Sequence, residues 1–122
     1  MDFKEYQAAA KITAIYLNKV KLQFPELSPE ILKIMGISYA ALGLGESGEV
    51  QGKVKKIIRD SGGIISDEVK TEISKEIGDI LWYTAAMCDE LGISLEDVAQ
   101  NNIDKLMSRK ERGVIEGNGD NR

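Results

Sequence analysis

Glu46 and Glu49 form one acidic pair at i, i+3 spacing and Glu76 and Asp79 form another, in a 122-residue chain with no histidine and one cysteine. On a helix, residues three apart share a face, so each pair directs two carboxylates to one side. Oxygen donors without nitrogen or sulfur suit Mg²⁺, with Mn²⁺ as an alternative, rather than Zn²⁺ or Cu²⁺. If the pairs converge, the chemistry they favour is that of phosphate substrates.

The neighbouring residues decide how strongly each pair argues. Glu46 falls near the centre of the apolar face formed by Met35, Tyr39, Leu42, Val50 and Ile57, where a buried carboxylate needs a cation. That cation is either a metal or Lys53, which also follows Glu49 by four residues in the favourable acid-first order. Glu72, Glu76, Asp79 and Tyr83 flank a second stripe, Ile73, Ile77, Ile80, Thr84 and Leu91. Glu76 has no cation three or four residues away. Taken alone this flank reads as a solvated acidic edge. Two such pairs brought together repel each other unless a divalent ion lies between them. Further on, Asn102 interrupts the face of Leu95, Val98, Ala99 and Leu106, with Lys105 and Arg109 beside it. Arginine's planar fork and lysine's point charge suit phosphoryl oxygens, although long basic stems also serve simply to cover a bundle edge. Together the groups describe a metal-bridged polyphosphate site. There is no Walker loop to cradle phosphates by backbone, and zinc hydrolysis or Glu-x-x-His di-iron chemistry fails for lack of histidine.

Helical periodicity dominates and predicts an all-α four-helix bundle. The first helix is expected from Asp2 to Leu22 and the second from Pro29, behind a Ser28 cap, to about Arg59. Gly36, Gly43, Gly45, Gly48 and Gly52 either interrupt that second helix or allow close packing. The third is expected over Asp67–Leu91, ended by Gly92, and the fourth from the Ser94 cap to Arg112. Residues 1–112 thus form one domain and 113–122 a glycine-rich tail. No apolar run approaches the ~20 residues of a membrane span, and the N-terminus lacks the layout of a secretory signal, which points to the cytoplasm. A net charge of −4 opposes nucleic-acid binding but not a small phosphorylated ligand. Cys88 reads as a small buried residue.

The stretches Leu42-Gly43-Leu44-Gly45-Glu46-Ser47-Gly48-Glu49-Val50, Lys75-Glu76-Ile77-Gly78-Asp79-Ile80-Leu81-Trp82-Tyr83, Leu91 to Val98, and Asn101-Asn102-Ile103-Asp104-Lys105-Leu106 with Arg109 resemble the MazG-like all-α nucleoside triphosphate pyrophosphohydrolases. The match runs through most of the chain beyond residue 40, and its specificity lies in the order and spacing of motifs that are weak singly. The resemblance implies a Mg²⁺-dependent enzyme that cleaves nucleoside triphosphates between the α and β phosphates. Under it Glu46, Glu49, Glu76 and Asp79 bind metal, and Asn102, Lys105 and Arg109 contact phosphate or sugar, with Lys53 as a further cation on the substrate side. Glu49 becomes the candidate base or water orienter. It also implies a homodimer or homotetramer joined through long helices.

Gly45 stands where many relatives carry an acid, which leaves open the number of metal ions and the water-activating group, with Glu72 a substitute acid one turn from Glu76. For base or sugar recognition the candidates are Gln7, Thr13 and Tyr83, each also readable as ordinary packing. Trp82, off the core stripe, suggests an oligomer contact. Two other readings stay open: a phosphoribosyl-ATP pyrophosphohydrolase, and a non-catalytic helical dimer that binds a nucleotide or partner.

Overall fold

The computed structural model describes residues 1–122, which form helices and turns with no strand. Helix α1 (Phe3–Thr13) starts with a reciprocal cap, in which the Asp2 carboxylate accepts from the Glu5 N–H and Glu5 accepts from the Asp2 N–H. The continuous first helix expected from Asp2 to Leu22 is corrected here. The Thr13 hydroxyl donates to the Ala10 carbonyl at 2.8 Å, and Ala14 leaves helical geometry at ψ 77° with its N–H bonded to the Lys11 carbonyl. Helix α2 (Tyr16–Gln23) then starts afresh without a side-chain cap.

Helix α3 (Pro29–Gly43) opens as expected, with the Ser28 hydroxyl accepting from the Ile31 N–H and Pro29 in the first turn. The expected run to Arg59 tightens into a 3-10 turn at Leu44–Glu46 before α4 (Ser47–Asp60). Its backbone stays in the right-handed helical region throughout, so the helix changes pitch without breaking. Helix α5 (Asp67–Leu91) is capped by Ser66 and ends at Gly92, whose φ of +67° is the left-handed conformation that glycine adopts without strain. Helix α6 (Leu95–Glu111) follows its Ser94 cap.

These helices form the four limbs of an all-α bundle around α5, which touches α1, α3, the 3-10 turn, α4 and α6. Gly36 lies against the Glu90 side chain and Gly43 against the Tyr83 ring. The contacts are seven residues apart on each helix and run in opposite senses, so α3 and α5 are antiparallel and in close contact. A Cβ at either glycine would overlap its neighbour, whereas one at Gly45, Gly48 or Gly52 would meet nothing. Between the two contacts Ala40 is fully buried. The same register carries the 3-10 turn and α4 along the first half of α5.

At the other end Ala10, Ala85, Cys88 and Leu95 form the core, with Tyr6 and Trp82 packed on it. Gln7 fastens the start of α6 there: its amide donates to the Asp89 carboxylate and the Ile93 carbonyl, and its oxygen accepts from the Leu95 N–H at 2.9 Å. Gln7 therefore closes a helix junction. Helix α6 packs only on α1 and α5 and leaves Val98, Ile103, Leu106 and Met107 exposed. No helix is long and apolar enough to cross a membrane.

Candidate metal centre

The antiparallel register brings the acids together. Glu46 ends the 3-10 turn, Glu76 and Asp79 sit one turn apart on α5, and one carboxylate oxygen from each lies within 4.8 Å of the others. Hard oxygen donors at that separation fit a divalent cation such as Mg²⁺ or Mn²⁺, and nothing in the cluster suits a softer metal. Glu46 and Glu76 are half-buried and Asp79 is exposed. Lys53 reaches across from α4 to Glu76 at 3.6 Å and Glu72 at 3.7 Å. Its ion pairs are therefore interhelical and do not involve Glu49. Neither Glu46 nor Asp79 has an ion-pair partner, so the trio holds more negative charge than one shared ammonium can offset.

Glu49 is exposed in the first turn of α4 and lies outside the trio. Glu72, one turn from Glu76, is tied to Lys53. Of the four acids singled out by spacing, three thus converge and the fourth, Glu49, is not part of the cluster.

A cleft of about 430 Å³ opens beside the acids, lined by Thr13, Glu46, Asp79, Trp82 and Tyr83. The Trp82 indole N–H donates to the Thr13 hydroxyl at 2.8 Å, which fixes the ring over the end of α1. Trp82 therefore forms a wall of the cleft. The Tyr83 hydroxyl is pushed above its ordinary pKa by burial, with Tyr39 and the Glu46 and Asp79 carboxylates adding to the effect. It stays protonated at neutral pH and can donate a hydrogen bond.

Two residues that spacing did not single out for the site are Tyr16 and Tyr39. Their rings stack at 4.4 Å and 15°, and Tyr16 meets Trp82 edge-on at 6.4 Å. Tyr39 had signalled itself only as a core residue. Tyr16 carried no signal because the helix break that turns it inward is invisible to periodicity.

The basic groups on α6 are placed differently. That helix has no contact with the 3-10 turn or α4. Asn102 and Lys105 are exposed, and Arg109 is buried at 4% exposure under the C-terminal segment. Arg109 donates to the Asp120 carbonyl at 2.6 Å, and the Asp120 carboxylate stands 3.8 Å from Arg109 and 3.9 Å from Lys105. Arg122 fastens the same segment by donating to the carbonyls of Val114, Ile115 and Gly119. Residues 113–122 therefore fold back on α6.

Comparison with known proteins agrees with this geometry. Over residues 36–114 the chain matches the MazG nucleotide pyrophosphohydrolase domain, a stretch that holds all three converging acids and all of α6. It is also 45% identical over 118 residues to the Gene 37 protein of Mycobacterium phage L5, a match covering 96% of each chain; that name carries no activity. No solved structure matches it significantly. An all-α bundle that gathers oxygen ligands from the turn after α3 and from α5, in register with a domain match over nearly two-thirds of its length, belongs to the MazG nucleotide pyrophosphohydrolase family.

Proposed function

We propose that the protein is a Mg²⁺-dependent pyrophosphohydrolase that cleaves ribo- or deoxyribonucleoside triphosphates between the α and β phosphates, giving the monophosphate and pyrophosphate. One observation carries the reading: Glu46, Glu76 and Asp79 converge at the rim of an open cleft with an excess of negative charge. A Mg²⁺ ion held there, or Mn²⁺ in its place, would neutralise phosphate oxygens and make bound water more acidic.

The chain's own residues supply the rest. Glu49, exposed in the first turn of α4 and free of ion pairs, is the proposed base that takes the proton of the attacking water as its oxygen bonds to phosphorus. The bridging P–O bond breaks, and its electron pair leaves with the departing phosphate group. Lys53, at 26% side-chain exposure, gives up part of its pairing with Glu72 to meet the developing charge on the phosphates.

Asn102 and Lys105 are proposed phosphate or sugar contacts that reach the acids from a second copy, since α6 does not approach the 3-10 turn or α4 within the chain; Arg109, buried under the C-terminal segment, would join them only once Asp120 releases it. The apolar surface supports association. Val54 and Ile58 on α4, Ile77 on α5, and Ile103 and Met107 on α6 are all exposed, more than a stable monomer of this size usually leaves in water. We propose a homodimer or a pair of dimers, with 1–112 as the catalytic domain and 113–122 as a tail held against α6.

The test is an assay of purified protein with Mg²⁺ against a panel of ribo- and deoxyribonucleoside triphosphates, with products separated by chromatography. Monophosphate plus pyrophosphate is expected. Diphosphate plus orthophosphate would move the cleavage site. Turnover of phosphoribosyl-ATP alone would assign the reaction to that substrate, and no turnover with any metal would leave a nucleotide-binding or partner-binding bundle.

A further inference from the structure

Arg109 is the most deeply buried charged side chain of the protein, at 4% exposure, and its charge is only partly answered. One guanidinium nitrogen donates to the Asp120 carbonyl at 2.6 Å, but the Nε is buried and has no hydrogen-bond partner. The Asp120 carboxylate, 3.8 Å away, lies beyond hydrogen-bond distance, where a well-fitted carboxylate would take two parallel bonds at ~2.8 Å. A guanidinium withdrawn from water and left short of acceptors keeps its capacity for an anion. Lys105 adds to that capacity, one turn away on α6 and 3.9 Å from the same carboxylate oxygen.

The cover over this pair is built from the backbone of residues 113–122. Gly113 reverses the chain at φ +69°, with its N–H bonded to the Lys110 carbonyl and the Val114 N–H to the Arg109 carbonyl. The Arg122 guanidinium then closes the segment on itself through the carbonyls of Val114, Ile115 and Gly119, and Arg112 donates to the main-chain oxygen of Arg122 at 3.0 Å. Asp120 is thus presented to Lys105 and Arg109 by a loop whose own bonds fix its place. The cover is firm within itself and weakly held from below. Of its ten residues only Val114 and Arg122 are half-buried, and the Asp120 side chain is 91% exposed, where ion pairs contribute little.

We propose that residues 113–122 are an autoinhibitory strap, in which Asp120 stands in for a phosphate group at Lys105 and Arg109 and must be displaced before the two cations can engage a polyphosphate anion. The inference rests on the proposed role of α6 in binding phosphate. A tethered carboxylate competes at high effective concentration, but it brings one negative charge and a poor fit. A pyrophosphate group brings several charges and acceptors on every side, which suit both the Arg109 fork and the Lys105 point charge. The strap therefore sets a threshold for anions. Apparent affinity scales with the open fraction, so a strap open one part in ten weakens binding about tenfold.

Inorganic pyrophosphate is the probe, titrated by calorimetry into the metal-free full chain, so that the readout needs no turnover. Asp120→Asn removes the competing charge and should tighten binding about fivefold, while Glu116→Gln, the same charge change in the same segment, should alter it less than about twofold. Arg122→Gln separates displacement from simple electrostatics. It deletes a positive charge, which by itself weakens anion binding, yet it unfastens the strap and should tighten binding about tenfold. In the parent, the amide hydrogens of residues 113–122 should exchange faster with pyrophosphate bound than without it. Unchanged or weaker binding in Asp120→Asn or Arg122→Gln overturns the strap, as does exchange that stays the same or slows, since the segment then closes over the anion or only supports α6. Equal tightening by Asp120→Asn and Glu116→Gln overturns it as well, leaving a general effect of charge. Failure of the hydrolysis proposal shows instead as absent turnover of every triphosphate, with these titrations still readable.

Discussion

Helix α5 carries carboxylates towards two ends of the bundle, and the two ends treat them in opposite ways. Glu90 is buried at 9% exposure and answered: the Tyr16 hydroxyl donates to it, Lys33 lies at 3.9 Å, and Gly36 leaves room for it against α3. Glu76 and Asp79 lie beside Glu46 at an open cleft rather than in a packed interior, and of the three only Glu76 has a lysine partner. A carboxylate that the fold satisfies holds the fold together. Carboxylates that it crowds and leaves under-neutralised lower stability in the free protein and keep their lone pairs for a ligand. Charge alone does not separate the two kinds; the completeness of the partner set does.

The sharpest way to break this comparison is to neutralise one acid at each end. At the cleft, Glu76→Gln or Glu46→Gln should lower Mg²⁺-dependent pyrophosphate release by more than about a hundredfold, since changes behind a metal ligand alone cost up to that much. The melting temperature of the metal-free protein should hold or rise, because a repulsion is removed. A marked drop in melting temperature for both variants would mean that these acids are structural after all. At the far end, Glu90→Leu should lose roughly 1 to 3 kcal/mol in urea unfolding, as the half-buried Tyr16 hydroxyl loses its acceptor. Glu90→Gln keeps an acceptor in place and should lose less. If Glu90→Leu were as stable as the parent, the distinction between the two ends would fail.

Glycines give a smaller and more local version of the same contrast. Gly43→Ala pushes a methyl group into the Tyr83 ring, which lines the acidic cleft, so it should cost about 1 to 3 kcal/mol and impair turnover as well. Gly52→Ala on α4 meets open space and removes a flexible residue from a helix interior, so it should gain roughly 0.5 to 1 kcal/mol. Urea titration of the two variants checks both signs.

The contrast between these glycines also marks where sequence reading ran out. Periodicity and caps placed α5 and α6 closely, because Ser94, Gly92 and a long unbroken amphipathic run are local signals. The i, i+3 acids were equally visible, since helical geometry fixes their faces. The glycine cluster on the second limb is plain in the sequence, but only the packed bundle separates Gly36 and Gly43, which allow contact, from Gly45, Gly48 and Gly52, which do not. Spacing pairs Lys53 with its sequence neighbour Glu49, whereas its partners come from α5 across the interhelical contact. The break after Thr13 has no glycine or proline to announce it. The Thr13 hydroxyl does bond back to the Ala10 carbonyl, but Thr71, Ser74 and Thr84 do the same inside the unbroken α5, so such a bond gives no signal that a helix ends. Everything downstream of that break, the inward Tyr16 and the wall made by Trp82, was therefore out of reach.

The weakest expected effect follows from the bond joining the two ends through Tyr16. Its hydroxyl is held well above the ordinary tyrosine value, first by burial, then by the hydrogen bond to Glu90 and the negative charge it carries. Because the folded value lies above the unfolded one near 10, this group's contribution to stability is complete below pH 10. It declines as pH rises towards the folded value, since the unfolded chain then releases a proton that the folded chain keeps. Stability should thus fall above pH 10, with this group adding a slope below ~1.4 kcal/mol per pH unit, the limit for one proton. Tyr16→Phe should flatten that fall without abolishing it, because Tyr6 and Tyr83 are shifted in the same direction. Urea unfolding of parent and variant at pH 8 and pH 10.5 measures the difference. An identical fall in both would mean that Tyr16 ionises as freely in the fold as in water, and that Glu90 does not anchor the aromatic wall behind the cleft.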